Sequence, residues 1–134
     1  MIDFVTIEAE LGTALAGVTA FKSIETSHIR DPLPVAQMPA MDISAHGHTD
    51  DNQDPDSKYK VQCIIVIRRS GAKRKDNAEA FKALVKSVCA VLETYKGTSF
   101  AAIRRIQSNI NESDTGDGSM IRIGFIQLEI WARQ

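Results

Sequence analysis

The chain lacks most of the features that mark secreted, disulfide-bonded or membrane-spanning proteins. Its two cysteines, Cys63 and Cys89, have no spacing pattern, and we expect both to be buried, reduced thiols of a cytosolic protein. The longest apolar run, residues 63–67, is far too short to cross a bilayer. Residues 1–17 have no basic leader, and acidic side chains interrupt their apolar residues, so we expect no secretory signal.

An excess of charge of one sign is also missing. Sixteen basic residues stand against seventeen acidic ones, which gives a net charge of −1. This balance gives no reason to expect a membrane surface or sequence-specific nucleic acid as a partner. The composition, 43% hydrophobic and 25% charged, is typical of globular proteins, and 134 residues are enough for one core. We therefore predict a single domain spanning residues 1–134.

Hydrophobic periodicity predicts two helices and five strands. Apolar residues three and four apart predict a first helix that begins after Asp3 and ends near Gly17. The same spacing predicts a second helix over 76–97, with a capping-box pattern at its start and Gly97 at its end. Strands are predicted at 18–25, 40–44, 58–69, 99–110 and 119–134. The order α-β-β-β-α-β-β indicates an α+β fold with a mainly antiparallel sheet and two helices.

Three of these strands have irregular patterns. Ile103 and Ile106 have opposite parity, so a strand over 99–110 needs a β-bulge, or else the segment twists. In the last strand the apolar positions change parity around Gly124, which predicts a bend or bulge there. The second face of strand 58–69 begins polar and turns apolar midway, so we expect part of that face to be covered.

The stretch HGHTDDNQDPD, residues 46–56, contains the densest set of metal-ligand side chains. A calcium loop that starts at Asp50 would have Pro55 where glycine is required and Val61 where glutamate is required. The calcium-loop pattern is therefore absent. Because Asp, Asn, Gly and Pro are typical of long exposed loops, we predict an acidic loop over 45–57.

A zinc site in the same stretch would use His46 and His48 with an aspartate. No third ligand follows at a diagnostic spacing, so we expect no metal site and no cofactor. The alternative is a metal-binding small enzyme or binding module that uses residues 46–56.

Two further loops carry charge or glycine. SDTGDGS, residues 113–119, lacks the lysine and glycine spacing of a phosphate-binding loop and is predicted to connect a hairpin. RRSGAKRK, residues 68–75, has five basic residues in a predicted turn. This cluster predicts binding either to phosphate or to an acidic neighbouring subunit. The alternative is a solvated turn that binds no partner. No stacking aromatic lies within it, which disfavours single-stranded nucleic acid.

No arrangement of nucleophile, base and acid is visible in the sequence. Neither cysteine has a histidine nearby, the G-x-S-x-G pattern is absent, and the carboxylates cluster in predicted loops. We therefore expect that the protein is not an enzyme.

The order of elements, together with a proline-rich run, a long polar loop and no catalytic set, resembles tail terminator and tail-completion proteins of long-tailed bacteriophages and related prophage minor tail proteins. The segments that carry this resemblance are LPVAQMPAMDIS, KYKVQCIIVIRR, the second helix, AAIRRIQSNI and SMIRIGFIQLEIWARQ.

The resemblance implies a structural protein of the virion tail that is assembled in the cytoplasm of the bacterial host. Such a protein forms a ring of six copies on the end of the tail tube. The ring stops tube growth and joins the tail to the head, so the implied partners are other copies of the chain, the tail tube protein and a head-completion or connector protein. The implied contact residues are the basic and acidic ones, which are Arg68, Arg69, Lys73, Arg74, Lys75, Asp50, Asp51, Asp54 and Asp56.

Overall fold

The computed structural model describes residues 3–18, 20–50, 58–95 and 100–133. The elements in these ranges are α1 (Phe4–Leu15), β1 (Ser23–Thr26), a 3-10 turn (Val35–Gln37), β2 (Ala40–Asp50), β3 (Lys58–Ala72), α2 (Lys75–Thr94), β4 (Phe100–Asp114) and β5 (Ser119–Arg133). The predicted α+β class and the order α-β-β-β-α-β-β are confirmed. Neither α1 nor α2 is long and apolar enough to span a bilayer.

The five strands form one sheet in the order β1-β2-β3-β5-β4. β1 runs parallel to β2, and every other neighbouring pair is antiparallel. A parallel pair of consecutive strands requires a crossover, and residues 27–39 provide it. β4 is an edge strand of 15 residues, whereas β1, at the other edge, has four.

Both helices pack on the same face of the sheet and form one core with it. The helices contribute Ile7, Leu11, Leu15, Phe81, Leu84, Val85, Val88 and Leu92. The strands contribute Met41, Ile43, Val61, Cys63, Ile65, Ile67, Ile126, Leu128 and Ile130. These strand residues alternate with polar or half-buried ones, as the twofold period of a strand requires, so the core lies on one face only.

β2 is longer than its sequence pattern indicates. The prediction ended this strand at residue 44, but β2 continues to Asp50 and pairs with β3 up to Tyr59. A bulge between Ala45 and Gly47 interrupts the alternation at this point. The predicted acidic loop over 45–57 is therefore wrong for residues 45–50, which are strand.

No bulge lies at Gly124 in β5. The register between β3 and β5 is continuous from Lys58 to Ala72, so the bulge predicted as one of two alternatives there is wrong. A Cβ atom at Gly124 would lie 3.0 Å from Cγ2 of Val85 in α2. The glycine therefore allows the helix to approach the sheet, and the apolar residues around it occupy both faces of one continuous strand.

The predicted irregularity in β4 is confirmed. Its pairing with β5 shifts between Phe100 and Ala102 and again between Ile103 and Arg105. After these shifts Ile103, Ile106 and Ile110 all pack against the core.

The helix starts differ in how well the sequence predicts them. Asp3 is the N-cap of α1, and its carboxylate accepts a hydrogen bond from the backbone N–H of Thr6 at 3.1 Å. α2 begins at Lys75 with Arg74 as the N-cap residue, so the predicted capping box at Asp76 is wrong. Asp76 lies in the first turn, where its negative charge is still favourable to the helix dipole. Gly97 lies outside the described residues.

A buried ion-pair cluster fixes the crossover 27–39 against the face of the sheet away from the helices. The Asp42 carboxylate, 1% exposed, accepts from Nε of Arg30 at 2.6 Å and from Nη1 of Arg68 at 3.2 Å. The backbone N–H of Arg30 also donates to Asp42. Val66, the ladder partner of Asp42, is 2% exposed, so part of the second face of β3 is covered as expected.

A second buried carboxylate accepts a hydrogen bond from a backbone N–H of β2, just beyond the end of β1. Glu8 of α1 is 3% exposed and accepts a hydrogen bond from the backbone N–H of Ala45 at 3.0 Å. β1 pairs with β2 only as far as Ile43, so this N–H lies beyond the end of β1. A side chain of α1 thus takes the place of a strand and links the helix to the sheet.

Replacing Asp42 with alanine would leave two largely buried guanidinium groups without their carboxylate. We expect the free energy of unfolding to fall by about 3–5 kcal/mol, the usual cost of breaking a buried ion pair by removing one partner. Urea denaturation measures this loss. Asp31→Ala, an exposed aspartate of the same crossover, is the matched control and should change the value by less than about 0.5 kcal/mol. Equal losses for the two variants would contradict the role given to Asp42.

Candidate interaction surface

His46 and His48 lie on opposite faces of the sheet. His48 pairs with Val61, a core residue, and its ring lies 5.8 Å from that of Phe4. His46 lies at the bulge and lines a cavity of about 270 Å³ with Gln62 and Gln107. The bulge therefore separates the two imidazoles, and the pair does not form the two-histidine half of a zinc site.

The acidic residues of the same stretch are only partly described. Asp50 is the last residue of β2, and Asp51, Asp54 and Asp56 lie outside the described residues. Among the residues that the structure does describe, no group of three or more His, Cys, Asp or Glu side chains could hold a metal ion.

The predicted basic turn 68–75 is not a single exposed turn. Arg68 and Arg69 belong to β3, which ends at Ala72, and Lys75 begins α2, so only Lys73 and Arg74 connect the two elements. Arg68 forms a buried ion pair with Asp42. Arg74 and Lys75, 71% and 90% exposed, lie 3.6 and 3.8 Å from carboxylates of Asp76 and Glu79. Exposed pairs of this kind contribute little, so these two cations can contact a partner.

Lys73 joins the basic segment to the β4–β5 hairpin of the same chain. Its ammonium forms an ion pair with Asp114, which begins the loop predicted as a hairpin connection, and that prediction is confirmed. The hydrogen bond from Lys73 lowers the pKa of the Asp114 carboxyl. Gly116 and Gly118 both have φ of 85°, which favours glycine at these turn positions. The contact shows that part of the basic cluster is neutralised within the chain.

A groove that was not predicted from the sequence runs between α2 and the edge strand β4. It has a volume of about 370 Å³, and its floor is formed by Val85, Cys89, Ile106 and Ile110. β4 has no strand on its outer side among the described residues. Exposed strand edges with adjacent apolar surface are common docking sites for extended segments.

Lysines flank this groove on the α2 side. Lys82 and Lys86 line it, and in the described part of the chain neither has a carboxylate within ion-pair distance. Lys75, Lys82 and Lys86 follow the spacing i, i+7, i+11, which places them along one side of the helix. This spacing was the signal in the sequence that could have identified the surface.

Cys63 and Cys89 differ in their environments. Cys63 is buried in the core, and burial raises the pKa of its thiol to about 12, with a smaller contribution from Glu8. Cys89 is half-buried in the groove, and its thiol pKa is also raised, mainly by burial and then by Glu93. A raised pKa disfavours the thiolate, so neither cysteine has the environment of an activated nucleophile.

We expect the two thiols to react at very different rates with N-ethylmaleimide in dilute native protein. The reagent needs thiolate and access, so Cys89 should be alkylated slowly at pH 8 and faster as the pH rises, while Cys63 should stay unmodified. Peptide mass spectrometry measures both sites. Protein unfolded in urea is the control, because both thiols should then react alike. Native-state labelling of Cys63 at the rate of Cys89 would show that the core is not closed.

Comparison with known proteins gives a match in fold only. No protein-family model matches the chain, and no curated protein matches it. Among solved structures, a chain of the "Virion of native gene transfer agent (GTA) particle" is similar, with a TM-score of 0.55 and 13% sequence identity. The match covers 94% of this chain and 94% of that chain. Over nearly its whole length, therefore, the protein has the fold of a chain found in a gene transfer agent virion.

Proposed function

We propose that the protein is a non-enzymatic structural component of a phage-type virion. Its role there is that of a tail terminator or tail-completion protein, which forms a ring on the end of the tail tube. The ring stops tube growth and provides the surface that joins the tail to a head-completion or connector protein. Its site is the virion tail, after assembly in the host cytoplasm.

The observation that carries this proposal is the fold match to a virion chain across 94% of both chains. The match extends over nearly all of both chains, so it concerns the whole fold described here and not a single substructure. The resemblance of the element order to tail terminator proteins supports the same role independently, because it depends on the sequence pattern.

The surface of the described residues also supports assembly. On the face of the sheet away from the helices, Ile64, Ile123 and Phe125 are only half-buried in the single chain. At the end of the same face, Trp131 lies between the cations of Arg104, 4.6 Å from the ring centre, and Lys60, 5.8 Å from it. Apolar and aromatic groups on an open sheet face favour contact with other proteins.

The proposal predicts that the protein is part of assembled particles. Particles purified from cells that produce them should contain the chain by mass spectrometry. Antibody labelling in the electron microscope should place it at the junction of head and tail. A host-cell cytosolic enzyme of similar abundance is the control for contamination. Absence of the chain from purified particles would contradict the proposed function.

Arg74 and Lys75, the most exposed cations of the basic cluster 68–75, provide a second prediction. Arg74→Glu combined with Lys75→Glu should weaken self-association, because these cations are free to contact an acidic surface of the next copy. Arg68 is excluded from this test, since its ion pair with Asp42 is structural. Sedimentation velocity measures the association, and thermal unfolding should stay unchanged.

The matched control for this experiment keeps the charge. Arg74→Lys combined with Lys75→Arg should associate as the parent does. If the two glutamates leave association unchanged, the basic segment is ordinary solvated surface.

A further inference from the structure

The groove between α2 and β4 has two properties that together select an acidic occupant. Its floor is mainly apolar, since Val85, Ile106 and Ile110 form most of it together with Ser108, and its rim carries two lysines. Glu93 is the one carboxylate among the lining residues, and it lies beyond ion-pair distance of both lysines. Lys75 extends the basic line toward the start of α2.

The most acidic segment of the sequence complements this groove. Residues 50–56 carry four aspartates, which are Asp50, Asp51, Asp54 and Asp56, and no lysine or arginine. Pro55 adds one apolar ring and favours an extended backbone in the residue before it. The negative charges and the apolar ring of this sequence complement two lysines above a mainly apolar floor.

The segment cannot reach the groove of its own chain. Ile106 is level with Cys63 across β5, which places it about 17 Å along the strands and about 10 Å across them from Lys58. Residues 51–57 connect two neighbouring strand ends, at Asp50 and Lys58, and such a connection extends by at most about 14 Å. The occupant must therefore come from a second copy.

We infer that the groove formed by Val85, Cys89, Ile106 and Ile110, with Lys82 and Lys86 on its rim, binds the acidic segment 50–56 of a neighbouring copy of this chain. Segment and groove are different surfaces of the same molecule, so each copy can bind one neighbour through its segment and another through its groove, head to tail. Repeated contacts of this type close into a ring when the rotation allows. The inference rests on the proposed function in one respect only, which is that the copies assemble.

Complementary charge reversal tests the contact in the full chain. One variant, Lys82→Glu with Lys86→Glu, repels its own kind because groove and segment are both acidic. The other, Asp51→Lys with Asp54→Lys and Asp56→Lys, gives the segment a net charge of +2 and repels its own kind because groove and segment are both basic. Each alone should associate at least about tenfold more weakly than the parent, and an equimolar mixture should restore association, because every contact between unlike variants is attractive.

Two controls accompany the association measurements, which use sedimentation velocity and light scattering. Ala83→Glu with Ser87→Glu adds the same pair of glutamates to α2 on its exposed side outside the groove, and should associate as the parent does. Thermal unfolding of every variant should match the parent. In the parent, alkylation of Cys89 should slow as assembly proceeds, because the segment covers the thiol, while Cys63 stays unreactive throughout.

The inference is overturned if either variant associates like the parent or if the mixture fails to recover. It is also overturned if the parent stays monomeric up to roughly 1 mM, where contacts of even modest affinity are populated. Those results leave the proposed function standing when the chain is found in particles. Absence from particles overturns the proposed function even when the contact between copies is real.

Discussion

The carboxylate of Asp42 holds the crossover 27–39 on one face of the sheet, while the two helices pack on the other. It lies inside the sheet with almost no exposure, and Arg30 and Arg68 neutralise it from the crossover and from β3. A parallel β1–β2 pair needs a connection that crosses one face of the sheet, and this ion-pair cluster fixes that connection on the face opposite the helices. Because breaking this ion pair by removing one partner costs about 3–5 kcal/mol, the cluster holds the crossover on its face of the sheet. The helices pack on the other face.

The two edges of the sheet are protected very differently. At the β1 side, a short strand is continued by the carboxylate of Glu8, which satisfies the Ala45 N–H where strand pairing stops. At the β4 side, 15 residues of strand lie at the edge, and α2 stands back far enough to leave a groove with an apolar floor. Natural sheets usually shorten, twist or cover their edges to prevent unwanted pairing. A long open edge beside half-buried apolar side chains is therefore consistent with an edge that another chain covers.

The local sequence pattern predicted the helices and strands that have a clear hydrophobic period. It failed where a contact between residues distant in sequence determines the local structure. The N-cap at Asp3 and the bulge in β4 depend on residues close in sequence, and both were predicted. Gly124 was misinterpreted because a change of parity shows that both faces are apolar but not that α2 presses on one of them. β2 was cut short because the bulge at His46 breaks the alternation. The ion pair of Arg68 joins residues 26 positions apart, so the basic cluster could not be divided into structural and exposed cations from the sequence alone.

The basic cluster 68–75 is divided between cations that are paired within the subunit and cations that remain exposed. This division affects how a nearly neutral chain can assemble. Arg68 and Lys73 are neutralised inside the subunit, whereas Lys75, Lys82 and Lys86 continue along one side of α2 into the open groove. The aspartates of residues 50–56 connect β2 to the opposite end of β3, at Lys58, far from the start of α2 at Lys75. The unlike charges are thus separated to different parts of one molecule, and they cannot meet within it. Direct association of the basic groove face with its own copy would bring like charges together, so this separation favours contacts between unlike surfaces of neighbouring copies. Contacts between unlike surfaces are also what the ring proposed above would need.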